Sequence, residues 1–231
     1  MDAFLAFEWR DYEGGDLEIP VSGVHLWLIE QSSDFVRYLS SAELLRYERI
    51  VNEEVRMSYG AAQGGLRRIV GVYTGRPPAE VAMRRKVRGK PYVAGAPEFN
   101  LSHTSGRMIA AFSSGPVGID VESAGRSVQA GELARKFFFE EEIERVMRLE
   151  GAKRNLTFLR YWVCKEAIVK LSGDGIYHGL RQARVDLADD GRSQGGYQGR
   201  EVRLREFRPA PDLVAALASW EPVEAKGFFR I

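Results

Sequence analysis

The chain has 231 residues, of which 45% are hydrophobic and 28% charged, a composition typical of folded globular proteins. Its 33 basic and 32 acidic side chains give a formal net charge of +1, which excludes a global basic field for nucleic acid or acidic membranes but not a local patch. The single cysteine, Cys164, excludes an internal disulfide and fits a reducing compartment. The sequence shows neither a secretory signal nor a long apolar run, so we expect a cytoplasmic protein without membrane or nucleic-acid partners.

The first third of the chain carries one strand signal and then helical ones. Residues 24–30 form a short apolar run, which predicts a strand. Ser40 followed by Glu43 matches a capping box and predicts the start of a long helix. Gly64–Gly65 is expected to bend or divide that helix, and Gly75 to end it.

The rest of the chain alternates between strand-like and helical stretches. Helical spacing returns after Ser127, and Asn155 is expected to cap a further helix that ends at Gly173. The glycine-rich residues 189–199 are predicted to be an exposed hairpin loop. Short apolar runs predict strands at 99–101, 108–113, 117–121, 183–188, 201–206 and 213–219.

The segment 118–122 places two acids two residues apart on a predicted strand. Alternate side chains of a strand share a face, so Asp120 and Glu122 should point the same way and Ile119 and Val121 the other way. Neighbouring carboxylates repel each other unless a cation compensates them, and a hard ion such as magnesium takes such oxygen ligands. By spacing alone, two exposed acids on a solvated edge strand are the simpler interpretation.

Trp162, Glu166 and Lys170 recur at a spacing of four residues and share one face of a predicted helix. One interpretation is a core tryptophan beside a weak surface salt bridge. The functional interpretation makes Glu166 a metal ligand or general base, with Lys170 beside it holding phosphate. Cys164 lies in the same apolar run, where packing explains it better than nucleophilic chemistry.

Ser102 and His103 carry groups that can donate hydrogen bonds to phosphate oxygens. Neighbours on a strand face opposite sides, so this pair does not fit a nucleophile with its base, and a hydrolase triad is disfavoured. The chain has three histidines, which argues against a histidine-rich zinc site.

Residues 84–90 form a short basic run. It is either a solvated turn or a surface for phosphate or an acidic partner, and it is too short to indicate duplex DNA binding. No glycine-rich nucleotide loop of either common type precedes a helix.

Together these segments resemble the 4'-phosphopantetheinyl transferase family, in particular its longer bacterial branch of the surfactin-synthetase-activating type. Several motifs in register carry far more weight than any one of them. The matching motifs follow the family's order: Gly89-Lys90-Pro91, Phe99-Asn100-Leu101-Ser102-His103, Gly118-Ile119-Asp120-Val121-Glu122, Phe137-Phe138, and Trp162-x-x-Lys165-Glu166-Ala167-x-x-Lys170-x-x-Gly173.

The resemblance implies an α+β fold made of a pseudo-twofold pair of similar halves, each with a long helix against a small antiparallel sheet. We place the halves at residues 1–116, the coenzyme A-binding side, and 117–231, the side with the metal and catalytic residues. The implied reaction is the attack of a serine hydroxyl of an apo acyl or peptidyl carrier protein on the pyrophosphate of coenzyme A. The 4'-phosphopantetheine arm is transferred, 3',5'-ADP leaves, Mg²⁺ is the implied cofactor, and we expect a monomer.

The family's metal and catalytic roles carry over residue by residue. Asp120, Glu122 and Glu166 match its magnesium ligands, and Glu166 also matches its proposed general base. Lys170 matches the lysine near the pyrophosphate. Lys165, like Trp162, matches a motif position that we interpret as structural support.

The family's coenzyme A contacts match less evenly. Ser102 and His103 match two contacts, and Lys90 matches the adenine-side contact. Further upstream the match is weaker and lies near positions that contact the adenosine 3'-phosphate. There, Arg46 and Arg56 fall near basic family positions, Glu43 stands where a basic residue is common, and Arg49 is a candidate to replace that residue.

Two other classes of function remain open from the sequence. One is a non-catalytic module of the same fold that binds coenzyme A or a carrier protein, and the other is a different coenzyme A-dependent enzyme, such as an acyltransferase. A carrier protein is expected to be acidic around its serine, and residues 137–139 (three phenylalanines) are a candidate surface for it, although at least one ring should lie in the core. The sequence does not indicate which carrier is used.

Overall fold

A computed structural model of the protein describes residues 5–6, 8–15, 17–86, 88–175 and 179–231. Its helices are α1 (Ser41–Arg49), α2 (Glu53–Thr74), α3 (Ala130–Phe137), α4 (Glu140–Met147) and α5 (Gly151–Ser172), with short 3₁₀ helices at Ser33–Tyr38 and Pro78–Glu80. Its strands are β1 (Leu5–Ala6), β2 (Arg10–Asp11), β3 (Gly23–Ile29), β4 (Arg84–Arg85), β5 (Pro91–Tyr92), β6 (Glu98–Thr104), β7 (Arg107–Ser113), β8 (Val117–Ser123), β9 (Ala183–Asp186), β10 (Gln194–Tyr197), β11 (Arg200–Arg208), β12 (Leu213–Ser219) and β13 (Glu224–Arg230). In this part of the chain, none of the helices combines the length and apolar character that crossing a bilayer requires.

Most of the strands form two sheets. The first sheet has the order β2-β13-β3-β7-β6, and the second has the order β8-β12-β11-β10-β9 with β1 paired to β11. Neighbours are antiparallel except that β13 runs parallel to β2 and β3, and β1 runs parallel to β11. β4 and β5 form a separate hairpin. β13, the last strand along the chain, therefore lies inside a sheet whose other strands all come from the first half of the chain.

The two sheets stack face to face, with one long helix on each outer side. Alternation along β3 shows this arrangement. Val24 and Leu26 enter the core between the sheets, whereas Trp27 and Ile29 pack on the α2 side. α5 covers the outer side of the second sheet in the same way.

The long helix predicted from Ser40 onward is two helices. Ser40 and Glu43 do form the predicted capping box at the start of α1. The chain then leaves the helix, and the Asn52 side chain accepts the Val55 N–H at 3.0 Å to cap α2. Gly75, with φ of 65°, ends α2 as predicted.

The prediction that Gly64–Gly65 bends or divides the helix is wrong, because α2 runs through both residues. Their role is close packing. A Cβ at Gly64 would overlap the carbonyl oxygen of Phe35, and a Cβ at Gly65 would lie 2.7 Å from Cγ2 of Ile29. The missing side chains let α2 approach the first sheet and the neighbouring 3₁₀ helix.

Two predictions in the second half also need correction. α5 begins at Gly151 after Glu150, and Asn155 lies inside the helix, where its side chain donates to the carbonyl oxygen of Arg126 at 2.9 Å. Residues 194–197, predicted to be loop, are strand β10. The predicted end of α5 at Gly173 is confirmed by its φ of 79°.

The expected α+β fold with a long helix on each sheet is confirmed. α2 and α5 each have 22 residues and each covers one small, largely antiparallel sheet. The twofold relation between the halves and the boundary after residue 116 stay predictions. β8 begins at Val117 and belongs to the second sheet, while β13 returns to the first.

Candidate active site

The candidate site lies at the seam where the edge strands of the two sheets meet α5. β6 ends the order of the first sheet and β8 ends that of the second. The Asn100 side chain on β6 accepts the N–H of Ile119 on β8 at 3.0 Å, which joins the two edges. Side chains from both halves of the chain are thereby brought to one place.

Gly118 sets the distance between β8 and α5. A Cβ at this position would overlap the carbonyl oxygen of Ala167 and the backbone nitrogen of Leu171. The absence of a side chain lets the strand lie directly on the helix backbone. This close approach brings the acids that follow Gly118 near the polar face of α5.

Asp120 is the centre of the polar cluster at the seam, and only 3% of its surface is exposed. Its Oδ1 accepts from the Ser102 hydroxyl at 2.7 Å and from the Lys170 ammonium at 2.6 Å. Its Oδ2 is buried and has no hydrogen-bond partner among the described residues. A buried carboxylate oxygen without a donor is unfavourable, so a cation or donor at this oxygen would stabilise the site.

Glu122 lies on the same face of β8 as Asp120, as predicted, while Ile119 and Val121 enter the core between the sheets. Its carboxylate forms an ion pair with Arg126. The side chain is 14% exposed. The simpler interpretation, two exposed acids on a solvated strand, is therefore wrong.

Glu166 faces this pair from α5. Burial and the charges of Asp120 and Glu122 raise the pKa of Glu166 from 4.5 to about 7, although the Lys170 ammonium and a hydrogen bond from Trp162 act to lower it. The Lys170 Nζ lies 3.9 Å from the Glu166 Oε2. Burial is the largest cause of this shift, and the nearby carboxylates add to it.

The donor set suits a hard divalent cation, although the carboxylates already have partners. Lys170 contacts Asp120, and Arg126 contacts Glu122. Within the described residues, no three His, Cys, Asp or Glu side chains are grouped so that they could hold a metal ion as they stand. The unpartnered Oδ2 of Asp120, with the Glu166 carboxyl facing it from α5, is the feature that fits magnesium.

Lys165, interpreted from the sequence as structural support, is fully buried and does not face the seam carboxylates. Its ammonium lies 2.8 Å from Oε2 of Glu142 on α4 and donates to the carbonyl oxygen of Ala183. Burial lowers the pKa of Lys165, and the Glu142 carboxylate acts in the opposite direction. Sequence reasoning missed Glu142, which is the last of three consecutive acids at the start of a short helix.

Lys90, predicted to contact coenzyme A, bridges the two halves at the other end of β8. Its half-buried ammonium donates to the carbonyl oxygens of Val117 at 3.2 Å and Lys170 at 3.4 Å. Burial lowers the pKa of Lys90, against the effect of the Glu98 carboxylate, which raises it. The side chain also lines a cleft of about 470 Å³ at the C-terminal end of α5.

The predicted upstream arginines are not all in one place. Arg46 lines a cleft of about 570 Å³ between α1, α2 and the β4–β5 hairpin, with its guanidinium 5.2 Å from the centre of the Tyr59 ring. Arg56 lies over the Tyr47 ring at 5.9 Å, and Arg49 is exposed on α1. In the described part of the chain, neither Arg49 nor Arg56 lines that cleft.

His103 and Ser102 point to opposite faces of β6, as the strand geometry predicted. Ser102 is buried against Asp120, whereas His103 is exposed and lines a small pocket of about 60 Å³ beside α2. Of the two residues, only Ser102 belongs to the carboxylate cluster.

Residues 137–139 do not form an exposed aromatic surface. Phe137 and Phe138 are buried in the core around α5, and Phe139 is half-buried between Lys165 and Arg184. The prediction that at least one of these rings lies in the core is confirmed. The prediction that the stretch offers an aromatic docking surface is wrong for Phe137 and Phe138, because packing against α5 removes them from the surface.

The motifs at this seam have counterparts in known proteins. The model of the 4'-phosphopantetheinyl transferase superfamily matches residues 116–218, which include β8 and α5. The 4'-phosphopantetheinyl transferase HetI of Nostoc sp. is 33% identical over 216 residues, which cover 86% of this chain and 90% of the relative. The chain belongs to the 4'-phosphopantetheinyl transferase superfamily. The resemblance of the sequence motifs to this family is therefore confirmed.

Phosphopantetheinyl transferases from Bacillus match parts of the chain at similar identity. The 4'-phosphopantetheinyl transferase psf-1 of Bacillus pumilus is 29% identical over 167 residues, 71% of this chain and 70% of the relative. The 4'-phosphopantetheinyl transferase Sfp of Bacillus subtilis is 32% identical over 105 residues, 45% of this chain and 46% of the relative. Membership of the superfamily makes this chain an enzyme, a transferase of 4'-phosphopantetheinyl groups.

Proposed function

We propose that the enzyme transfers the 4'-phosphopantetheine arm of coenzyme A to a serine of an apo acyl or peptidyl carrier protein, with Mg²⁺ as cofactor and 3',5'-ADP as product. The observation that carries this proposal is the convergence of Asp120, Glu166 and Lys170 at the seam between the sheets. Two carboxylates that share one lysine and are partly shielded from water, with Glu122 following on the same face of β8, are suited to displacement at phosphorus.

Glu166 is proposed to accept the proton of the attacking serine. The serine oxygen then bonds to the phosphorus that carries pantetheine, and the bond from that phosphorus to the bridging oxygen of the pyrophosphate breaks. The bond's electron pair leaves with 3',5'-ADP. The Trp162 hydrogen bond fixes the Glu166 carboxylate on its helix face, which suits a base that must meet an incoming hydroxyl.

Lys170 is proposed to hold the pyrophosphate. Its ammonium contacts Ser102 at 2.9 Å as well as Asp120, so the group is already directed towards the seam. An ammonium directed at phosphate oxygens stabilises the charge that accumulates on the leaving group.

Asp120, Glu122 and Glu166 are proposed to hold Mg²⁺, and the unpartnered Oδ2 of Asp120 supports this assignment. The bound ion would supply positive charge that offsets the negative charge of the pyrophosphate. Lys170 and Arg126 now compensate these carboxylates, so we expect both side chains to yield part of their ion pairs to the ion.

The remaining residues of the coenzyme A site are proposals of the same kind. Ser102 has the best support because its hydroxyl contacts both Asp120 and Lys170. Lys90 and Arg46 each line a cleft next to the seam. The other proposed contacts, His103, Arg49 and Arg56, line neither of these clefts in the described part of the chain.

The test is a mass-spectrometric assay in which purified enzyme, coenzyme A, Mg²⁺ and a panel of apo carriers are mixed. We expect one carrier or more to gain one phosphopantetheine, with an equal amount of 3',5'-ADP released. Glu166→Gln should lose most of this activity, whereas Glu144→Gln, at an exposed acid on α4, should retain it. Chelation of Mg²⁺ should stop the reaction and added Mg²⁺ should restore it.

Three outcomes would contradict all or part of the proposal. Binding of coenzyme A without a mass gain on any carrier would favour a non-catalytic binding module. Release of free coenzyme A in place of 3',5'-ADP would favour an acyltransferase. Full activity of Glu166→Gln would remove Glu166 from the mechanism.

A further inference from the structure

Asp174, directly after the glycine that ends α5, is contacted from three parts of the chain. Its Oδ1 forms an ion pair with the Arg88 guanidinium in the turn between β4 and β5. Its Oδ2 accepts the Tyr197 hydroxyl at 2.8 Å, and its backbone N–H donates to the Ser172 hydroxyl oxygen at 3.1 Å. We call the contact between Arg88 and Asp174 the hairpin clamp, because it joins the β4–β5 hairpin to the C-terminal end of α5.

The second sheet holds the Asp174 carboxylate in place. Tyr197 lies on β10 and is 2% exposed, so its hydroxyl has a fixed position. Gly173 ends α5 with φ of 79°, and the bond to Ser172 fixes the peptide group that follows. The Asp174 side chain is 26% exposed, whereas that of Arg88 is 58% exposed. The acid is therefore the anchored partner, and the arginine belongs to the segment that has to be held.

The β4–β5 hairpin is not part of either large sheet. Within its turn, the Lys86 N–H donates to the Lys90 carbonyl oxygen at 2.9 Å, and the Gly89 N–H donates to that of Lys86 at 2.8 Å. The Lys86 ammonium also lies 3.2 Å from Oε1 of Glu98 on β6, in an ion pair whose side chains are 49% and 36% exposed. These bonds set the shape of the turn, whereas the contacts of Arg88 and Lys90 set its position against α5.

The turn reaches the catalytic seam through Lys90. The Lys90 ammonium donates to the carbonyl oxygen of Lys170, whose own ammonium contacts Asp120. Arg88, two residues earlier in the turn, contacts the chain four residues beyond Lys170. Without the hairpin clamp, Lys90 alone among the described residues of the turn would hold it to α5 by a hydrogen bond. The cleft that Lys90 lines would then lose the fixed position of one wall.

We propose that Arg88 and Asp174 are positioning residues: the hairpin clamp holds the β4–β5 turn against α5 and so preserves a wall of the site that binds coenzyme A. This inference rests on the proposed function, in which Lys90 and Lys170 contact coenzyme A. The two clamp residues act through the position of the turn and do not touch the reacting atoms. The clamp is partly exposed, so its loss should weaken coenzyme A binding by about threefold to fivefold rather than abolish it.

The sign of the effect at Asp174 separates the hairpin clamp from simple electrostatics. Coenzyme A carries several negative charges, so removal of a nearby carboxylate would, by charge alone, leave its binding unchanged or improve it. The clamp predicts the opposite result. Asp174→Asn keeps an oxygen that can accept from Tyr197 but loses the charge that holds Arg88, so removal of an acid should weaken the binding of an anion.

The first test measures coenzyme A kinetics in the carrier assay. Arg88→Gln and Asp174→Asn should each raise KM for coenzyme A about threefold to fivefold, with kcat and the carrier KM changed by less than about twofold. Arg88→Lys, which retains the charge, should stay within about twofold of the wild type. The double variant Arg88→Gln/Asp174→Asn should be no worse than either single variant, because both remove the same contact. Calorimetric titration of coenzyme A without a carrier should show the same changes in Kd.

The control variant is Asp11→Asn, which breaks an ion pair with Arg230 at 2.7 Å. This pair has the same chemistry and joins β2, the edge strand opposite β6, to the neighbouring β13. It should leave KM unchanged. A raised KM in Arg88→Gln alone, with Asp174→Asn at the wild-type value or below it, would show that Arg88 contacts coenzyme A directly and would overturn the clamp. Unchanged KM values in both variants would also overturn it and leave the proposed function standing.

The second test needs no substrate. Trypsin cleaves after the basic residues of the turn, and Asp174→Asn leaves all of them in place while it releases Arg88. Cleavage within residues 84–90, followed by mass spectrometry of the fragments, should be about threefold to fivefold faster in Asp174→Asn than in the wild type and in Asp11→Asn. An equal cleavage rate in all three proteins would overturn the clamp. Failure of the wild-type enzyme to modify any carrier would overturn the proposed function, and faster cleavage of Asp174→Asn would then still support the clamp.

Discussion

Breaking the buried ion pair between Glu142 and Lys165 should strongly destabilise the enzyme. The two side chains are 3% and 0% exposed, and the Lys165 Nζ lies 2.8 Å from the Glu142 Oε2. Glu142 also accepts the N–H groups of Phe139 and Val185, each at 2.8 Å. The pair therefore joins α4, α5 and β9 at one point in the core.

The expected magnitude follows from this burial. Replacing one partner, as in Glu142→Gln or Lys165→Met, leaves the other buried without its counter-charge, which costs about 3–5 kcal/mol of unfolding free energy. That is a large part of the roughly 5–15 kcal/mol that stabilises a typical domain. With a urea m-value of about 2 kcal/mol per molar, the unfolding midpoint should fall by about 1.5–2.5 M.

The assay is urea unfolding of both single variants and the double variant Glu142→Gln/Lys165→Met. The double variant should be less destabilised than the sum of the singles, because it leaves no unpaired charge. The exposed pair of Arg148 and Glu144 is the matched control, since its N···O distance is 2.9 Å but its side chains are 77% and 55% exposed. Glu144→Gln should cost no more than about 1 kcal/mol. Similar losses for the buried and exposed pairs, or strictly additive singles, would refute the reasoning.

Three further changes test other parts of the structure. Gly118→Ala should lower kcat at least about tenfold by pushing β8 away from α5, whereas Gly115→Ala, which has open space around it, should not, and equal activity of the two would contradict this. Burial lowers the pKa of His25, whose Nδ1 lies 2.8 Å from the Tyr73 hydroxyl, so its contribution to stability is complete above about pH 6.5 and decreases as the pH falls below that value. His25→Gln should therefore lose less stability than the wild type between about pH 7.5 and pH 5 in urea unfolding, and an equal loss would contradict this. Glu43→Gln should lower the unfolding free energy by about 1–3 kcal/mol, because it weakens both a helix cap and a partly buried ion pair, and an unchanged urea midpoint would contradict it.

The sequence predicted the elements whose signals are local. The capping box at Ser40 and Glu43, the C-terminal glycines of α2 and α5, and the shared face of Asp120 and Glu122 all depend on neighbours a few residues away. Such patterns act through backbone geometry and short-range hydrogen bonds, so they can be read without the tertiary structure.

The missed elements depend on distant parts of the chain. β13 has weak alternation, with Gly227 and Phe229 as its buried residues, and its partner β3 lies about two hundred positions earlier. Gly195 suggested a loop, yet it is glycine because a Cβ would lie 2.8 Å from the carbonyl oxygen of Arg184 on the neighbouring strand. Neither cause is visible in a sequence window.

The same distinction applies to the candidate site. The motif residues could be named from the sequence, but Asp120 and Ser102 contact each other only because two sheet edges meet. One wall of the cleft that Arg46 lines was visible as a basic run at residues 84–90, without any indication that α1 and α2 form its other walls. The charge of a site can be predicted from its sequence motifs, whereas its shape depends on how distant elements pack together.

The parallel pairing of β13 has a consequence for the order of events during synthesis. β2, β3, β6 and β7 all leave the ribosome well before β13, yet β13 lies between β2 and β3 in their sheet. Until residues 224–230 are made, β3 presents an unpaired edge. The sheet that is translated first is thus completed last. During synthesis of the whole second half, the edge of β3 must stay free of incorrect strand pairing.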